Sequence, residues 1–95
     1  MTENRKSLYD KVFAVVVNSL AKETKIQRGT ITDKTEIPDD GDGMWVVLNV
    51  AAEYGIQIEI GWSMTLTVSE LTEMVVDVLE GNIINRDGIM MLSTA

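Results

Sequence analysis

The chain has 95 residues, of which 45% are hydrophobic and 24% charged, with no Cys, no His and a formal net charge of −7. These values describe one folded domain with enough apolar content for a core, and they remove disulfides, thiol nucleophiles, His-based triads and zinc ribbons from consideration. A pI near 4.3 gives a surface field that repels phosphate backbones and anionic headgroups, so basic protein patches are expected as partners and nucleic acid is not.

The N-terminus, Met1-Thr2-Glu3-Asn4-Arg5-Lys6, leads into a mixed polar and apolar stretch without a continuous apolar signal region, and a cytoplasmic protein is the expectation. No apolar run approaches the roughly 18 residues of a membrane span. The first strong period places Leu8, Val12, Val15, Val16, Ser19 and Leu20 on one face, which predicts a helix over residues 4–22.

Helical period is lost over residues 23–43, where Ile26, Ile31 and Ile37 stand among Thr, Asp, Lys, Gly and the only Pro. A loop of this length needs packing anchors or a function of its own, and the three isoleucines are the anchors expected. Asp42 is a good N-cap, and a second helix is predicted over residues 43–54, stopped by Gly55.

Ile56-Gln57-Ile58-Glu59-Ile60 alternates strictly, the pattern of a half-buried strand; without a neighbouring partner it reads equally as an extended connection. Residues 61–67 are a connector carrying Trp62. A third helix is predicted over residues 68–79, with Val68, Leu71, Val75, Val78 and Leu79 on one face, Thr67 and Glu70 forming a capping box, and Gly81 ending it. In the tail, Asp87-Gly88 stands between two apolar runs, which signals a hairpin, against an irregular apolar tail docked on the helices. Residues 1–81 thus form the domain, and residues 82–95 an extension packed on it.

Asp39-Asp40-Gly41-Asp42-Gly43 resembles half of a calcium loop, but its first and last ligand places fall on Pro38 and Asn49. A dedicated metal site is therefore not expected. The same carboxylates have no partner base and no phosphate-cradling loop beside them, so no enzyme activity is expected. The second helix is apolar almost all round, with Asn49 and Glu53 its strongly polar positions. A small domain cannot bury every face of such a helix, so part of it either faces a partner or is covered by the 89–92 tail.

Taken in order, these features resemble the acyl carrier protein family. Tyr54-Gly55-Ile56-Gln57-Ile58 is similar to the family's Phe-Gly-Ile-Glu-Ile, and Thr67-Val68-Ser69-Glu70-Leu71 to its Thr-Val-Gly-Asp-Leu, with the likeness covering about residues 5–80. The resemblance implies an all-α fold: a small four-helix bundle of three main helices and a short one before the last, with a long first loop. Family members carry Asp-Ser-Leu where the second helix begins, the Ser being esterified by 4′-phosphopantetheine. Here Asp39-Asp40-Gly41 occupy those places. Asp40 replaces the Ser and Gly41 the Leu, and an Asp carboxylate cannot form the phosphodiester, so the prosthetic group is expected to be absent.

Members of the family present a row of acidic residues along the second helix to basic enzyme patches; here Trp45, Ala51 and Ala52 interrupt it and only Asp42 and Glu53 remain. The resemblance therefore implies a carrier-like domain that no longer carries, acting as a protein-binding or scaffold module in lipid or polyketide biosynthesis. Its contact residues would be Asp42, Met44, Trp45, Val46 and Glu53, meeting a carrier-recognising enzyme or a second copy. The alternatives are a working carrier modified at another Ser, Ser63 above all, and an unrelated helical adaptor.

Overall fold

The computed structural model describes residues 2–60, 66–86 and 88–93. Trp62, Ser63 and Asp87 lie outside them. In chain order the described elements are α1 (Thr2–Thr24), a single 3₁₀ turn (Arg28–Thr30), β1 (Glu36–Ile37), α2 (Gly41–Glu53), β2 (Ile56–Ile60), β3 (Leu66–Thr67), α3 (Val68–Leu79), β4 (Ile84–Arg86) and β5 (Ile89–Ser93).

The expected all-α bundle is corrected by this order. Three α-helices pack with two antiparallel sheets, a two-stranded one of β1 and β3 and a three-stranded one ordered β2-β5-β4. The alternating segment at residues 56–60 is a strand because its partner exists, although far along the chain. Ile56 pairs with Ser93, Ile58 with Met91 and Ile60 with Ile89. The tail folds back on itself with Arg86 paired to Ile89, and Gly88 has φ +80°, a left-handed conformation that Gly adopts without a side-chain clash. The tail therefore supplies the central strand of a sheet.

Helix α1 buries Val12, Val16, Val17 and Leu20, the stripe its spacing specifies. Against it pack Val46, Val47, Val50 and Ala51 of α2 and Leu71, Met74, Val75 and Val78 of α3. The sheet closes the core with Ile56, Ile89 and Met91. Arg5 joins α1 to α3 by donating to Asp77 at 2.9 Å and to Glu80. This pair is partly exposed, a setting in which ion pairs add little stability.

The long first loop is held in its second half. Ile31 and Ile37 are buried, whereas Ile26 faces solvent, so two of the three expected anchors insert. The loop also serves α3, whose first free backbone N–H groups need acceptors: Val68 N donates to the Thr35 carbonyl and Ser69 N to that of Asp33, both at 2.9 Å. Thr67 and Glu70 complete the predicted capping box, at 3.2 Å and 2.9 Å.

Candidate functional site

The acidic turn before α2 is where the sequence concentrates its polar chemistry, and the structure fixes its geometry through two residues. Asp40, not Asp42, is the N-cap. Its Oδ1 accepts from Gly43 N at 3.1 Å, so α2 starts two residues earlier than the helical pattern alone predicts. Asp42 then falls in the first turn, where a carboxylate favours the positive end of the helix dipole.

Gly43, whose N–H Asp40 caps, sits where the loop comes closest to the helix. A Cβ placed on it would come 1.7 Å from the Pro38 carbonyl oxygen and 2.7 Å from its carbon. The loop backbone therefore crosses the first turn of α2 at a distance that only glycine permits. Asp39, Asp40 and Gly41 beside it are all three exposed. Sequence reasoning treats Gly43 as one of several glycines in an acidic run; a glycine at the third position of a helix, where it weakens the helix, is the signal that marks it.

Beyond the turn, α2 divides sharply. Val46 and Val47 are fully buried. Val46 thus belongs to the core and cannot reach a partner, which corrects its expected place among the contact residues. Met44 and Trp45 remain 44% and 57% exposed. Asp42 lies three residues before Trp45 and so neighbours it on the helix surface, with exposed Ala52 two turns further on the same side. Of the tail, β5 packs chiefly against β2, β4 and α3.

Glu53 lies at the opposite end of α2, about 12 Å along the axis from Trp45. It lines a groove of about 200 Å³ with Val15, Asn18, Ser19, Lys22 and Asn49, and Asn49 donates to Glu23 of α1 at 3.0 Å. The candidate residues are therefore split into two places. Asp39, Asp40, Gly41, Asp42, Met44 and Trp45 share one small surface, an apolar pair rimmed by carboxylates, and Glu53 belongs to another.

Among the described residues no group of three or more acidic side chains is placed to hold a metal ion, and no helix is long and apolar enough to cross a membrane. The acidic turn exposes an indole and a thioether beside carboxylates. Family models, curated proteins and solved structures contain no match to the chain.

Proposed function

We propose that this chain is a protein-binding module that docks a basic, amphipathic segment of a partner on the first turn of α2. The observation that carries the reading is Trp45, 57% exposed beside Asp42 and one turn from the Asp40 cap. Trp is the residue most enriched where protein interfaces concentrate their binding energy, and an exposed apolar patch rimmed by charge is the usual form of a contact surface. The rim supplies steering and register, and the chain's charge of −7 selects partners of opposite sign.

Asp40, at the place where the resemblance would put the modified Ser, does not offer the chemistry of a carrier. Its carboxylate lacks the hydroxyl that a phosphodiester requires, and one of its oxygens is engaged by Gly43 N. Incubation with a promiscuous phosphopantetheinyl transferase and coenzyme A is expected to leave the intact mass unchanged; an increase of about 340 Da would overturn the reading in favour of a carrier modified at a residue such as Ser63.

Docking itself is tested by comparing the immobilised chain with its Trp45→Ala variant for capture of proteins from an extract of the source cells. A partner retained by the chain and released by moderate salt should be lost from the variant, with a binding deficit of about 30-fold or more for a central Trp. Equal capture by both forms would refute docking at this turn.

A further inference from the structure

The three-stranded sheet has β2 at one edge and β4 at the other, and the two edges are built differently. β4 has three residues, and shortness is one of the ways a protein blunts an exposed edge. β2 has five, pairs with β5 in an unbroken register without a bulge, and contains neither Pro nor Lys. Among the described residues no strand pairs with its outer side. An edge of this length with β-branched residues, guarded only by the charge of Glu59, is a template for strand addition.

We propose that β2 pairs with β2 of a second copy of the chain, antiparallel and two-fold about Ile58. The choice of occupant rests on the self-complementarity of the five residues. Ile56 is buried and Ile58 half-buried on the core side, whereas Gln57 and Glu59 are exposed. Directly opposed residues of an antiparallel pair share a face, so a register centred on Ile58 sets the two half-buried Ile58 residues against each other and uses all five residues. It also sets Glu59 opposite Gln57 of the second copy, twice by symmetry, where the amide can donate to the carboxylate. A register centred on Glu59 would oppose two carboxylates, and one centred on Gln57 leaves part of the strand unpaired.

The pairing is isologous and therefore closes at two copies. It produces one six-stranded sheet, ordered β4-β5-β2-β2-β5-β4, with the helices of both copies on the same side. Two chains of −7 repel each other, so this association strengthens as salt screens them. A basic partner held at Asp42 and Trp45 shows the reverse dependence, which separates the two interactions experimentally.

The test is sedimentation velocity from micromolar to millimolar concentration at low and high salt, on the chain and on Gln57→Lys and Gln57→Glu. Gln57 is exposed, so both variants should retain the fold, which far-ultraviolet circular dichroism checks. Reversible dimerisation that tightens with salt is expected for the unaltered chain. Gln57→Lys should tighten the dimer about two- to thirty-fold by making two cross-strand ion pairs, and Gln57→Glu should loosen it by a similar factor. Amide NMR shifts on dilution should centre on residues 56–60, a readout that holds should a variant fail to fold. A monomer at millimolar concentration in both salts overturns the proposal. So does a dimer indifferent to both substitutions and abolished by Trp45→Ala. A monomeric chain whose β2 amides shift only on adding an unrelated extended peptide refutes the second copy as the occupant.

Discussion

Replacing Gly43 by Ala tests the packing beside the acidic turn. An Ala Cβ at this position would lie 1.7 Å from the Pro38 oxygen, where real Cβ contacts do not fall below 3.0 Å, so the loop must retreat by at least 1.3 Å. The obstacle is backbone and cannot rotate away. Ile37, next to Pro38, is 2% exposed and pairs with Leu66 across the small sheet, so the retreat draws a core side chain and a strand pairing with it. Overpacking of this kind costs about 1–3 kcal/mol, more than the helix-propensity gain of up to about 1 kcal/mol that Ala brings.

Gly41→Ala is the matched control, since nothing lies within 4 Å of a Cβ there. It should leave stability unchanged or raise it by up to about 1 kcal/mol. Urea unfolding followed by circular dichroism should place Gly43→Ala about 2 kcal/mol below Gly41→Ala, and thermal unfolding should separate them by about 8–16 °C. Equal stability of the two variants, or a more stable Gly43→Ala, would refute the claim that the loop crosses α2 at a distance only glycine permits.

Three further outcomes follow from the same structure. Asp40→Ala should lower stability by about 1 kcal/mol through loss of the cap, whereas Asp40→Ser should nearly preserve it, as urea midpoints will show. Thr67→Ala should cost about 0.5–2 kcal/mol by opening the α3 capping box, and hydrogen exchange should report the loss first at Val68, Ser69 and Glu70. Burial raises the ionisation of Tyr9 and Tyr54 above the ordinary 10.0, with the charges of Glu73, Asp33 and Asp10 adding to it at Tyr9 and that of Glu53 at Tyr54. Because the folded values are the higher ones, the associated stability is present below pH 10 and is lost as pH rises through them. Phenolate absorbance should therefore appear at higher pH in the folded chain than in urea.

Legibility in the sequence followed the range of the deciding interaction. Helix α3 was readable to its limits because Thr67, Glu70 and Gly81 act within a few residues of the elements they bound. The start of α2 differs from the expectation because Asp40 and Asp42 both satisfy the local rule for a cap, and the structure places the cap at Asp40, where the loop carrying Pro38 crosses Gly43. The division of α2 into buried Val46 and exposed Trp45 was not readable either. A helix apolar on nearly every side carries no polar contrast to orient it.

The amino-acid order by itself determined an acidic domain without thiol or imidazole chemistry, the three helical segments, the caps of α3, and the absence of a hydroxyl at position 40. The tertiary structure decided the fold class. Strand β2 becomes a strand only through a partner 29 to 37 residues away, a pairing whose loop-closure entropy is met by the burial of Ile56, Ile89 and Met91 together. Local propensity has no access to that exchange, and among the described residues no strand pairs with the other edge of β2.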